Sequence, residues 1–571
     1  MTDPRNREFP RTFVPDDIDL GDWAAVQPWV EELLERQLTS AADLEQWLLD
    51  LSELQSCVSE ERARRYIAMT CDTEDEDAES RYLELVEHFM PAAKPWFHKL
   101  NEYYVASPYR VGLDVGRYAV LDRGTAMDIE LYREQNIEPQ TQASVLSQRY
   151  QKISGAMTVE FRGEELTLPQ VGKFLEETDR GLRQGAWEAI WDRRLQDRET
   201  CDEIFDELVE LRHRIALNAD CSDYRDYTFK SYHRFDYTPE SCERFHDAVE
   251  RNVMPLVRAL ADQRCSALGL DRLRPWDFGV DPDGRPPLRP FEGGDELGQG
   301  ARRIFARLDT ELEAQFVSMI EGSELDLESR KGKAPGGYQS SLEEVRRPFI
   351  FMNAAGLHRD VETLLHEAGH AFHALAARHE PLVEYRHAPI EFAEVASMTM
   401  ELFGDDHLEE FYSAADARRA KRKHLEGVIE LLPWIARVDA FQHWIYTHPQ
   451  HTRDERTTAW LQLAQRFETS VDWTGHEEQR QAGWQRQLHI FCYPFYYIEY
   501  GIAQLGALQI WNAFKRDPAR GLSDYRAALA LGGSLPLPKL FEAAGAKLAF
   551  DETTIAPLMD RIGEELATLP A

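Results

Sequence analysis

Basic charge is what this chain lacks. Its 571 residues carry 65 Lys and Arg against 101 Asp and Glu, a formal net charge of −36. No basic field is available to displace the counterions of a phosphate backbone, so no nucleic-acid partner is expected. An anionic membrane surface is excluded on the same ground. The acidity reads as a solvated surface. Cysteine is scarce as well. Cys57, Cys71, Cys201, Cys221, Cys242, Cys265 and Cys492 are odd in number, widely scattered and without a CxxC pair. Neither a disulfide framework nor a cysteine zinc site is expected, and a reducing cytoplasm fits best. Long apolar runs are missing too, since none approaches the ~18 residues of a membrane span. The opening "MTDPRNREFP" has no basic segment followed by an apolar run, so no secretory leader is expected.

What is present is mostly helical periodicity. "VQPWVEELLERQL" and "AADLEQWLLDLSELQSCVSEERARRYIAMTC" set apolar residues at helical spacing with charges opposite. "DTEDEDAES" reads as a solvated acidic turn before the pattern resumes in "RYLELVEHFMPAAKPWFHKLNEYYV". "MTVEFRGEELTL" alternates in strand fashion around a turn and predicts a hairpin, with helix from Pro169. "GVDPDGRPPLRPFEGGDELGQG" is rich in Pro and Gly and reads as loop, as does "RKGKAPGGYQSS". The short aromatic run Phe349 to Asn353, bounded by Pro348 and Gly356, reads as a strand. The expected fold is mostly α with a small sheet near the middle. The expected division is an N-terminal helical region, 1–150, and a larger region, 151–571.

The stretch "LLHEAGHAFHAL" carries chemistry. Asp360 can cap its helix, and Pro381 lies beyond its end. His366 and His370 stand at i and i+4 and project from one face, where two imidazoles can share a zinc ion. Glu367 between them can deprotonate a water that such an ion activates. His373 extends the row, but as a further ligand on the same helix it would be crowded, and it reads as a supporting or packing histidine. A catalytic zinc needs a third protein ligand and an open position. The following helix, "APIEFAEVASMTMELFG", offers Glu391, Glu394 and Glu401 among apolar residues. Inward-facing glutamates there would be costly without a cation or partner.

A second constellation lies in "QLHIFCYPFYYIEYG". His489, Tyr493, Tyr497 and Tyr500 recur at i, i+4, i+8 and i+11, which would line one helical face, although Pro494 favours a helix that starts there and leaves His489 on a loop. Phenol and imidazole donors suit a tetrahedral oxyanion. The plainer reading is an aromatic stripe packed in a core.

Together these stretches resemble the thimet oligopeptidase and oligoendopeptidase F family of zinc metallopeptidases, closer to the oligoendopeptidase F branch. "RKGKAPGGY", "PFIFMN", "DVETLLHEAGHAFH" with "EFAEVAS", and "HIFCYPFYYIEY" follow in the family's order, and "MTVEFRGEELTLPQV" resembles that branch's entry into the catalytic region. The likeness covers roughly residues 150 to 565, with only helical character shared before that. It implies one Zn²⁺ per chain held by His366, His370 and Glu394, the last selected over Glu391 by its place in "FAEVAS". It implies Glu367 as general base and Glu401 as a partner of the ligands, with His373 beside them. It implies Tyr497, Tyr500 and His489 as contacts to substrate and oxyanion, and Tyr493 as a substrate contact. The first histidine here is one residue nearer than in the thimet branch, and no glycine precedes Gly501, so that branch's loop mobility does not carry over. The implied fold is two helical lobes around a deep substrate channel, with a small sheet beside the active site. Phe349, Phe351 and Asn353 are the candidate edge strand for an extended peptide.

The implied activity is a zinc-dependent endopeptidase, cytoplasmic, that hydrolyses short unfolded oligopeptides through a zinc-activated water. Two alternatives stand beside it. One is a carboxypeptidase removing C-terminal dipeptides, which would need a carboxylate-binding cation such as Arg346, Arg347 or Arg386. The other is a non-catalytic peptide-binding protein. The residues leave oligomeric state open, and a His₂Glu set also tolerates Co²⁺ or Mn²⁺.

Overall fold

A computed structural model describes residues 8–330, 332–334 and 336–570. It is mostly helical, with five strands in two small sheets among the described residues, as the periodicity predicts. The chain packs as two compact units interleaved along the sequence. Among the described residues one is formed by 8–134, 289–417 and 506–548, the other by 135–288, 418–505 and 549–570.

In the first unit the helix Ala41–Cys71 starts on Ser40, whose side chain accepts from the Asp43 N–H. Its apolar face buries Leu44, Trp47, Leu51 and Leu54 against Val26, Val30 and Leu33 of the helix Trp23–Glu35. Trp47 is sealed in and donates its Nε1–H to the Leu33 carbonyl at 2.8 Å. The acidic break is shorter than the composition suggests. Helix resumes at Glu76, because Asp75 accepts from the Ala78 N–H and Glu76, Asp77 and Glu79 fall in the first turn, where the helix dipole favours negative charge.

The expected loop over 279–300 is also shorter. It ends at Gly293, with φ 84°, and helix Gly294–Leu308 follows. Glycine inside this helix reflects close packing rather than a turn, since a Cβ at Gly300 would lie 2.2 Å from the Phe411 ring.

Three strands form the sheet of this unit. β3 (Leu325–Glu328) and β4 (Tyr338–Leu342) flank β5 (Arg347–Ala354), β3 parallel to it and β4 antiparallel, with Tyr338 opposite Phe351 and Leu342 opposite Arg347. Phe349 to Asn353 is therefore strand, as its composition predicts, but it is the central strand and not an edge. Its backbone is taken up on both sides, and β4 is the edge beside the helix His358–Ala377. Sequence could not reveal this, because pairing partners are set at long range.

That helix packs on the helix Ile390–Gly404. Two glycines set how closely. A Cβ on Gly369 would lie 2.6 Å from Ser397 Cα, and one on Gly404 would lie 2.5 Å from Leu365 Cδ1.

In the second unit, strands β1 (Thr158–Phe161) and β2 (Glu164–Thr167) pair as the expected hairpin. Its two-residue turn has positive φ at both Arg162 (58°) and Gly163 (86°), which matches the strand twist. Helices Arg198–Asn218 and Pro239–Asn252, with residues 418–447 of the helix Ala414–Thr447, build the core. Tyr150 stacks on Phe491 at 3.8 Å between ring centres, and Trp484 stacks on the same phenylalanine at 5.5 Å. These stacks seat the aromatic-rich stretch on the unit's core.

Candidate functional site

In the first unit, His366 and His370 lie one helical turn apart, their rings 4.9 Å from centre to centre. The close helix approach at Gly369 presents Glu394 to both. Glu394 Oε2 is 3.3 Å from His366 Nε2 and 3.7 Å from His370 Nε2. Donors around a tetrahedral zinc, with bonds of about 2.0–2.2 Å, sit roughly 3.3–3.5 Å apart, so this spacing fits a His₂Glu-bound ion. Among the described residues these three side chains form a group able to share one metal.

Each donor is prepared by a neighbour. His366 Nδ1 lies 2.6 Å from Glu401 Oε1; donation of its proton there leaves the Nε2 lone pair facing Glu394. Burial lowers the His370 pKa to about 4, so its imidazole is neutral at physiological pH and can ligate. Ser397 donates its hydroxyl to Glu394 Oε2 at 3.2 Å.

Glu367 is buried beside this group. Burial raises its carboxyl pKa to about 7, a value suited to taking and returning a proton near neutrality. A Cβ built on Gly337, just before edge strand β4, would lie 3.8 Å from Glu367 Oε1, so the start of that strand lies beside the carboxylate. Sequence reading missed this contact, since "GGYQSS" carries only loop signals. His373 stands apart from the donor group. It packs edge-on against Phe392 at 6.0 Å, and burial lowers its pKa to about 3. Glu391 is buried but does not join the donors.

In the second unit the aromatic stretch is not one helix. Leu488–Cys492 forms a short helix, Phe495 adopts φ 63°, and helix Tyr497–Arg516 begins after it. The single-face spacing is thus corrected by the break at Pro494. Packing still gathers the residues. The His489 ring lies 5.0 Å from Tyr497, 5.6 Å from Tyr500 and 6.0 Å from Tyr493. Arg234 ties the break down by donating to the Phe495 carbonyl and, at 2.7 Å, to Glu499.

Hydrogen bonds set the donors here. Gln487 Nε2 donates to His489 Nδ1 at 2.9 Å, which places the ring proton on Nε2, 3.3 Å from the Tyr500 hydroxyl. Trp434 Nε1 donates to the Tyr497 hydroxyl oxygen at 3.0 Å and also reaches Gln487 Oε1 at 3.2 Å. Tyr493 is 47% exposed and open to a ligand. Trp434 lies distant in sequence and gave no sequence signal, and Gln487, at the head of the quoted stretch, was not singled out.

Cys242, Asp439 and His443 of this unit also meet metal-donor distances. All three are buried, and Asp439 already accepts from His246 at 2.8 Å, so no position there is open to a substrate.

The model for peptidase family M3 matches residues 173–289 and 309–559, and that for the peptidase M3 N-terminal domain matches 18–127. A plasmid-encoded oligoendopeptidase F of Lactococcus lactis subsp. cremoris is 24% identical over 238 residues, covering 42% of this chain and 38% of that protein. The chain thus spans little more than a third of that curated relative's length. Oligopeptidase PepF of Bacillus subtilis is 23% identical over 392 residues, 66% of this chain and 56% of that one. An X-ray structure assigned to oligoendopeptidase F superposes with TM-score 0.92 at 30% identity, covering 98% of this chain and 99% of the other. PZ peptidase A, solved with an inhibitor, gives TM-score 0.92 at 28% identity over the same shares.

Proposed function

Given that the chain belongs to peptidase family M3, we propose that it is a zinc-dependent endopeptidase acting on short, unfolded oligopeptides. The observation that carries this reading is the convergence of His366, His370 and Glu394, with the Glu367 carboxyl beside them. The three would hold one zinc ion, and Glu401 would orient His366. When bound, the ion supplies Lewis acidity to the scissile carbonyl and to the attacking water. Glu367 takes the water's proton and passes it to the leaving amine. Edge strand β4 offers backbone groups to an extended peptide, a role that moves there from Phe349, Phe351 and Asn353 of β5, whose side chains remain candidates for substrate contact. Family resemblance assigns oxyanion stabilisation to the Tyr497 phenol and to His489 or Tyr500, with Tyr493 as a substrate contact. Among the described residues no helix is long and apolar enough to cross a membrane.

The arginines considered for dipeptidyl carboxypeptidase action are occupied. Arg347 pairs with Glu324, Arg386 with Glu343 and Ser56, and Arg346 donates to the Arg378 carbonyl and covers Phe9. This favours the endopeptidase reading.

The test joins metal analysis to cleavage of a mixed oligopeptide pool read by mass. Expected are one zinc per chain, internal cuts, loss of cleavage with a chelator and recovery with zinc. Cleavage indifferent to chelation would overturn the reading. Release of C-terminal dipeptides alone would favour the exopeptidase, and peptide binding without cleavage a carrier.

A further inference from the structure

The buried group of the second unit, Cys242, Asp439 and His443, has ligand atoms within 4.8 Å of one another. Cysteine spacing gave no sign of it. The signal is a pair of short motifs, "CERFH" in the helix Pro239–Asn252 and "DAFQH" in the helix Ala414–Thr447. Each sets two metal-binding side chains at i and i+4, on one helical face. Packing turns the two faces together. His246 Nε2 lies 2.8 Å from Asp439 Oδ2, and His443 Nε2 lies 3.3 Å from the same oxygen. All four side chains are buried, Cys242 and Asp439 with 0% exposure.

Two polar atoms there are not satisfied by the protein. Among the described residues, Asp439 Oδ1 and His443 Nε2 are buried without a hydrogen-bond partner, and such atoms in a native interior call for a reason. His443 Nε2 is near Asp439 Oδ2 but lacks hydrogen-bond geometry toward it. That is the arrangement of two ligand atoms aimed at a common third point, and its 3.3 Å equals the separation of His366 Nε2 from Glu394 Oε2. Arg225 Nη1 stands 3.4 Å from His443 Nδ1, at the outer limit of a hydrogen bond, and 3.9 Å from Glu243. Turning to that carboxylate lets Nδ1 carry the ring proton and leaves the Nε2 lone pair for a metal. Charge balances as well. A divalent ion with one thiolate, one carboxylate and two neutral imidazoles is neutral, which suits a site cut off from water.

We propose that Cys242, His246, Asp439 and His443 hold a zinc ion in a closed, four-coordinate site that fastens helix 239–252 to residues 418–447 of the long helix. Zinc accepts thiolate, imidazole and carboxylate ligands in a tetrahedron, which would draw Sγ to roughly 3.6 Å from the nitrogen and oxygen ligands. With four protein ligands no position is left for water or substrate, so this ion holds structure and does no chemistry. What it holds bears on the aromatic cluster of the same unit. His443 packs edge-on against Phe495 at 5.2 Å, and Gln442 Oε1 accepts from the Phe495 N–H at 3.1 Å. The ion therefore sits next to the break after which helix Tyr497–Arg516 begins. It is separate from the ion assigned to His366, His370 and Glu394, and it raises the zinc count of a fully loaded chain from one to two.

The test uses Co²⁺ as the probe, supplied during expression in zinc-poor medium so that it enters as the chain folds. Cobalt bound to a thiolate absorbs in the near ultraviolet by sulfur-to-metal charge transfer, a band that a His₂Glu set cannot give because it has no sulfur. The full-length protein is expected to show this band. His370→Ala, which removes a ligand of the other metal group, is expected to keep the band undiminished. Cys242→Ser is expected to lose the band and one metal ion per chain; a melting curve checks that it folds. If that variant does not fold, the unmodified protein still decides, because among the described residues no other cysteine belongs to a metal-donor group. Absence of the band from the unmodified protein would overturn the site. So would a band that persists in Cys242→Ser, or one that disappears from folded His370→Ala.

Discussion

Glu367 and Glu401 are both carboxylates beside the same imidazole, yet their surroundings give them different work. Glu367 is buried, its pKa raised to about 7, and it lies beside the start of the edge strand. Glu367→Gln keeps the shape and removes the proposed base. Metal content should stay at the unmodified level while turnover of a quenched oligopeptide falls roughly 10²–10⁴-fold; an unchanged rate would remove Glu367 from the mechanism. Glu401 holds the Nδ1 side of His366 at 2.6 Å. Glu401→Gln should weaken zinc affinity about 10–100-fold in a competition titration against a chromophoric chelator. The same affinity in the variant would mean that His366 is oriented by its helix alone. At this scale much was legible in sequence. The i, i+4 pair and the glutamate between them depend only on helical geometry, which is local. Which of Glu391, Glu394 and Glu401 faces the pair was not legible from spacing. All three lie on one helix within three turns, and the choice depends on where a second helix crosses.

That crossing belongs to the elements. Gly369 lets helix 358–377 approach helix 390–404 until a Cβ would lie 2.6 Å from Ser397 Cα and 2.8 Å from the Ala396 carbonyl oxygen. Backbone cannot yield as a flexible side chain does. Gly369→Ala should therefore push the helices apart, costing about 1–3 kcal/mol in urea unfolding and loosening zinc binding through Glu394. A variant with unchanged stability and metal affinity would show that the crossing does not set the donor spacing. The elements also explain two corrections. The run 349–353 has the composition of a strand, but β3 and β4 pair on either side of it, and only long-range pairing decides which strand is an edge. The spacing from His489 to Tyr500 suits one helix, but Pro494 and the positive φ of Phe495 divide it. The Tyr150, Phe491 and Trp484 stacks return the pieces to one cluster.

Across the whole molecule the dominant quantity is charge. A net −36 means self-repulsion that the many ion pairs do not cancel. Exposed pairs contribute about 0–1 kcal/mol each and weaken in salt, whereas screening relieves the repulsion summed over the surface. Raising the salt from low concentration to about 0.5 M, a Debye length of only a few Å, should therefore raise the melting temperature. A fall would mean that ion pairs outweigh the net field.

Sequence by itself determined the helical class, the His366–Glu367–His370 triplet and, through resemblance, Glu394 and the aromatic stretch. These follow from periodicities of a few residues and from motif order, both written along the chain. Tertiary structure decided which strand is an edge, how near two helices come at Gly369, and that His489 meets Tyr497 and Tyr500 across a break in the helix. Those depend on residues brought together from separate elements of the chain, which no local periodicity records.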